Sequence, residues 1–176
     1  MVEMWEILDE HGNKTGAVKP RGEKLEKGEF HLCVYVWVFN SQGEFLVSKR
    51  AADRATWPLF WETTGGSAKV GEDSLAAALA ETREELGVEL DPANGEVFRR
   101  LTRGDCISDV WLFRQDVDMA DVKPCPVEVC DVAFMTQEQI KRMISEGEFI
   151  GYEFYPYLDE LFEFVGAGKP SLADFK

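Results

Sequence analysis

Gly66-Ser-Ala-Lys-Val-Gly-Glu-Asp-Ser-Leu-Ala-Ala-Ala-Leu-Ala-Glu-Thr-Arg-Glu-Glu-Leu-Gly-Val88 is the stretch from which the rest of the chain can be read. A capping candidate, Asp73 or Ser74, follows Gly71, and Gly87 is a natural left-handed stop. Between them Ala, Leu, Glu and Arg all favour a helix. At about 100° per residue, Leu75, Leu79, Thr82 and Leu86 form one mostly apolar face suited to packing on a sheet. Glu81, Glu84 and Glu85 fall on a different face, at relative positions i, i+3 and i+4.

Carboxylates at this spacing repel by about 0.2–0.5 kcal/mol per pair. They also lie near the helix C-terminus, where the macrodipole disfavours negative charge. A hard divalent cation relieves both problems, since it prefers oxygen ligands and suits a carboxylate cluster beside a phosphate. Ala77 and Ala78, one turn earlier, are small enough to leave room for the waters of such an ion. Glu-x-x-Glu-Glu alone would be a solvated acidic face. Gly66, Glu72 and Gly87 at set distances from it argue for a site.

Gly66, Glu72, Glu81, Glu84, Glu85, Gly87 and Val88 all fall on the pattern G-x5-E-x7-R-E-U-x-E-E-x-G-U, with U aliphatic. The segment thereby resembles the signature of the Nudix hydrolases. The resemblance implies an α/β fold, a Nudix-type α/β/α sandwich with a mixed sheet. It implies hydrolysis of a diphosphate linkage in a nucleoside diphosphate derivative or a nucleoside triphosphate. Magnesium, with manganese as the alternative, would be held by Glu81, Glu84 and Glu85, joined by Glu72 and the carbonyl of Gly65 or Gly66. Glu84 and Glu81 become catalytic candidates, and Glu128, outside the segment, a candidate general base.

Two positions depart from the pattern. Thr82 stands at the first aliphatic site, and Ala80 stands where the family has Arg. In the family that Arg is expected to pair with a motif glutamate, and position 80 precedes Glu84 by four residues, within pairing reach. Alanine cannot do this, and Arg83 projects away from the glutamates. Two readings follow: an enzyme with less rigidly held ligands, or a nucleotide-binding, regulatory module that turns over weakly.

Within the family the chain is similar to the branch related to isopentenyl-diphosphate isomerase. Members of that branch share an N-terminal hairpin, a His opening a core strand, and R-x3-K ahead of a W-P turn. Here these are His31, Arg50, Arg54 in place of Lys, and Trp57-Pro58. The isomerases place a catalytic Cys before Gly-His-Pro, whereas Trp61-Glu-Thr-Thr-Gly-Gly-Ser67 holds neither Cys nor His. That disfavours the isomerase as a third reading and leaves His31 a structural role. Arg50 and Arg54 are candidate diphosphate contacts, because guanidinium pairs well with phosphate oxygens. Trp57, Phe60, Trp61 and the aromatics from Tyr152 to Tyr157 either stack a base or pack between elements.

The whole chain, 1–176, is expected to form one domain. Its formal net charge of −14 excludes general affinity for nucleic-acid duplexes or anionic membranes, but not a small phosphorylated substrate met by local Arg, Lys and metal. No signal-like start and no run long enough to span a membrane is seen, and Cys33, Cys106, Cys125 and Cys130 show no zinc spacing or compact disulfide framework. Cys33, within an apolar run, is expected in the core, and the cytoplasm is the expected location. A homodimer is compatible with the sequence. Residues 3–18 read as a hairpin; His31–Asn40 as a strand covered on both faces; 44–50 as its antiparallel neighbour; and 60–64 as a short strand leading into Gly65-Gly66. Further strands are expected over 97–102, 109–117 and 127–134, with helices over 136–145 and 156–165.

Overall fold

The computed structural model describes residues 2–168; Met1 and residues 169–176, the outer ends of the expected 1–176 domain, lie outside the described residues. β1 (Met4–Leu8) and β2 (Lys14–Pro20) form the N-terminal hairpin as a separate two-stranded sheet. The main sheet contains β3 (His31–Phe39), β4 (Phe45–Arg50), β5 (Trp61–Glu62), β6 (Thr64–Ser67), β7 (Gly95–Arg103), β8 (Cys106–Arg114) and β9 (Val129–Met135). Its order is β5-β4-β3-β8-β7, with β6 on β3 and β9 on β4. β3 runs parallel to β8 and antiparallel to β4 and β6, so the sheet is mixed. Helix α1 (Ser74–Leu86) covers one face, while α2 (Gln137–Glu146) and α3 (Leu158–Gly166) cover the other.

The apolar run of β3 explains this layering. Val34, Val36 and Val38 face one way and share a cluster with Ala77, Ala78 and Leu86 of α1. Trp37 and Phe39 face the other way and pack with Ile140, Leu158, Leu161 and Phe162. Alternation on a strand apolar throughout demands cover on both sides. Burying a side chain such as Phe45 or Phe162 contributes about 1.5–3 kcal/mol. The expected α/β/α sandwich is therefore present.

Several local expectations need correction. The buried stripe of α1 is Ala77, Ala78, Thr82, Glu85 and Leu86, while Leu75 and Leu79 are only half-buried. The helix is thus turned so that Glu85 lies on the packed face rather than on a separate one. Ala77 and Ala78, 1% and 0% exposed, let the helix approach β3 and β6; they do not leave space for a hydrated ion. Gly65 and Gly66 belong to β6 rather than following a strand, and β6 pairs with β3 through Val34↔Gly66 and Tyr35↔Gly65.

Cys33 is half-buried, and it forms a disulfide with Cys106. The parallel register of β3 and β8, which sets His31 opposite Cys106, brings together two residues 73 apart in sequence. Cys125 and Cys130 are free. Nδ1 of His31 lies 3.6 Å from Sγ of Cys33, and the imidazole stacks on Trp5 at 3.9 Å. Burial lowers the pKa of this His. Among the described residues no helix is long and apolar enough to cross a membrane.

Candidate active site

The signature segment forms a strand, a loop and a helix that together aim carboxylates into one cleft. Asp73 caps α1, its carboxylate accepting the N–H of Ala76 at 2.8 Å, and Gly87 ends the helix in the left-handed region at φ 68°. Between β6 and α1 the loop is closed by Glu72. Its carboxylate accepts the N–H of Lys69 at 2.8 Å, and its own N–H donates to the Lys69 carbonyl at 3.0 Å. The carboxylate of Glu72 is therefore committed to the loop backbone.

Glu81 reaches from α1 toward β6. A Cβ on Gly66 would stand 2.3–2.5 Å from the three carboxyl atoms of Glu81, so only glycine leaves this side chain its place. Burial, then the neighbouring charge of Glu84, raises the Glu81 carboxyl from its ordinary 4.5 to about 7. Glu85 is 8% exposed, and its Oε2 is buried without a hydrogen-bond partner. Burial first, then Glu62, Glu81 and Glu128, push its carboxyl well above the ordinary carboxylate range. Glu84 is exposed, and both its oxygens accept from Nζ of Lys69, at 2.9 and 2.8 Å.

These groups line a cleft of about 260 Å³ together with Glu3, Arg21, Arg50, Arg54, Gly65, Gly66, Lys69 and Glu128. Arg50 donates to Glu62 at 2.6 Å and to the Thr56 carbonyl at 2.9 Å, which fixes its guanidinium in a half-buried setting. Burial nonetheless dominates at Glu62 and raises its pKa. Arg54 stands 3.5 Å from Glu128, just before β9. Glu81, Glu84, Glu85, Glu128, Arg50, Arg54 and Gly66 thus meet in one place, whereas Glu72 is set aside in its loop. The aromatics separate: Tyr155 and Tyr157 are core, Trp61 is buried, and Trp57 is exposed on its loop against Phe60 and Phe154.

Lys69, Arg21 and Glu3 enter the cleft without having been singled out in the sequence. Lys69 lay inside the quoted segment at a position the pattern leaves free, and only its charge was a signal. Arg21 and Glu3, paired with one another, arrive from the hairpin, and nothing in their sequence context announces them.

The donor set suits a hard cation: carboxylate oxygens only, one of them buried and unpartnered. Among the described residues, only His31, Cys33 and Cys106 bring three His, Cys, Asp or Glu ligand atoms within 4.8 Å of one another. That group contains the disulfide. The glutamates of the cleft stand further apart, with Glu84 held by Lys69.

Residues 29–158 match the NUDIX domain family. The chain belongs to the Nudix hydrolase family. Among its relatives, an uncharacterized Nudix hydrolase of Listeria innocua is 39% identical over 167 residues, covering 94% of this chain and 97% of the relative. An isopentenyl-diphosphate Delta-isomerase of Citrobacter koseri is 35% identical over 85 residues, 48% of this chain and 47% of the isomerase. The crystal structure of DR0079 from Deinococcus radiodurans has the same fold, with a TM-score of 0.70 at 21% identity, covering 94% of this chain and 98% of that one. Nudix enzymes generally use divalent metal ions, and the glutamates of α1 offer the oxygen donors for one.

Proposed function

We propose that this Nudix protein is a magnesium-dependent hydrolase of a diphosphate linkage, acting on a nucleoside diphosphate derivative or a nucleoside triphosphate. One observation carries the reading: Glu81, Glu84 and Glu85 converge with Arg50, Arg54 and Arg21 in one cleft, and an oxygen of Glu85 is buried there with no partner. Small nucleotide-derived substrates are what the family acts on. Glu81, Glu84 and Glu85 would hold magnesium, with manganese as the alternative, and Gly66 lines the same cleft. A divalent cation bound there would neutralise phosphate oxygens and acidify a water.

The chain's own groups divide the remaining work. Arg50 and Arg54 offer guanidinium donors to diphosphate oxygens, and the Glu62 contact keeps Arg50 oriented. Glu128, at the rim, is free of the helix and can take a proton from the attacking water onto a carboxylate oxygen. Glu81, drawn in among the ligands for the cation, is left with the metal and not with the proton. The isomerase reading has less support, because the cleft contains no thiol and the segment 61–67 supplies none.

The test is release of phosphate or nucleoside monophosphate from a panel of nucleoside diphosphate derivatives and triphosphates, with and without magnesium. Glu84→Gln serves as the control and is expected to lose at least about 100-fold in kcat. Absence of metal-dependent turnover, with nucleotide binding retained, would replace this reading by the binding module.

A further inference from the structure

Ala80 removes the arginine that would reach Glu84 from one helical turn earlier, yet Glu84 is not without a cation. Among the described residues, the side chain bonded to it is Lys69, through both carboxylate oxygens. Arg83 sits on the exposed side of α1 and does not reach it. We propose that Lys69 is the positioning residue for Glu84, taking over from the loop the part that an arginine at position 80 would play from the helix. This rests on the hydrolase reading above.

Three features support the assignment. The ammonium of Lys69 contacts the two oxygens almost equally, as a group that fixes carboxylate orientation must. Its backbone is clamped at both ends by Glu72, whose carboxylate and N–H engage the Lys69 N–H and carbonyl, so the ammonium is delivered from an anchored loop. Alanine at 80, one turn before Glu84, brings no polar group to compete for its carboxylate, so both of its oxygens are left to Lys69. Glu72 acquires a task on this view. It holds the loop that carries Lys69.

Lys69→Met, Lys69→Arg and the double variant Lys69→Met with Ala80→Arg separate this from other roles. Two quantities are read on the full chain: kcat and KM with magnesium, and manganese affinity without substrate, by electron paramagnetic resonance titration. Lys69→Met is expected to lower kcat and manganese affinity about tenfold each, the scale for losing a group that orients a metal ligand, with KM changed less than about twofold. Lys69→Arg and the double variant should return both to within about threefold of the parent. The pair is partly exposed, so melting of Lys69→Met should stay within about 3 °C of the parent.

A rise in KM at constant kcat that Ala80→Arg does not repair would overturn the proposal and make Lys69 a substrate contact. Tighter manganese binding in Lys69→Met would also overturn it, showing that the lysine merely competes with the ion. If the parent hydrolyses the panel while Lys69→Met matches it in every respect, the inference fails and the hydrolase stands. If no protein turns over but the manganese pattern appears, the inference stands and the hydrolase reading fails.

Discussion

Replacing Glu81 by Gln should make the metal-free protein more stable at alkaline pH and less useful at every pH. In the folded chain this carboxyl titrates at about 7 instead of 4.5, because burial and then Glu84 oppose its ionised form. The folded state therefore retains a proton between those values that the unfolded state has released. Stability falls as pH rises through the window and is lowest above it. At about 1.36 kcal/mol for each tenfold change in proton affinity, the full cost of ionising Glu81 at pH 8 is about 3 kcal/mol. Relaxation of the side chain and water entry reduce this to about 1–3 kcal/mol. Glutamine has nearly the same shape and no charge, so it escapes the cost. In EDTA at pH 8, thermal unfolding of Glu81→Gln should lie roughly 3–10 °C above the parent for a chain of this size. At pH 4.5 the advantage should shrink to under about 0.5 kcal/mol. Saturating magnesium should narrow the gap at pH 8, since it stabilises only the protein that binds it. A variant equally favoured at both pH values, or less stable than the parent at pH 8, would show that Glu81 is not held against its own charge.

Gly66→Ala places a methyl carbon within 2.5 Å of the Glu81 carboxylate, which must swing away; metal-dependent turnover should fall by about 100-fold, while melting, recorded on the same samples, should shift little. Arg100 donates to both oxygens of Asp109, 1% exposed on β8, at 2.6 and 2.8 Å. Arg100→Ala strands that charge and should cost about 2–3 kcal/mol in urea unfolding, and adding Asp109→Asn should recover most of it.

The carboxylates of α1 were legible because helix geometry converts sequence spacing directly into proximity. Gly66 to Val88 therefore announced the family and the cleft. The rotation of the helix was not legible. Thr82 and Leu86 of the expected face are buried, but close approach to β3 is set by what fits, and Ala77 and Ala78 fit where Leu75 and Leu79 do not, which carries Glu85 inward. The hydroxyl of Thr82 needs no outside partner, since it donates to the Ala78 carbonyl at 2.9 Å. Contacts made by topology left no local trace. Cys33 and Cys106 meet because β3 and β8 are parallel neighbours, and Arg21, just past the hairpin, shares a cleft with Glu81 through the tertiary fold alone. Lys69 shows a third case: the residue was in view, but its partner could be named only once the loop had a shape.

The matched domain begins at residue 29, after the hairpin, yet Glu3 and Arg21 stand in the wall of the cleft. β1 and β2 form their own sheet and join the rest through the Leu8–Phe30 bridge, the Trp5–His31 stack and the Val70 N–H to Met4 carbonyl contact at 3.3 Å. Substitutions at 3 or 21 can therefore reshape the mouth of the cleft while the strands that seat α1 keep their register. The molecule thus seats its glutamates on one sheet and part of the wall around them on another, so the two can be altered separately.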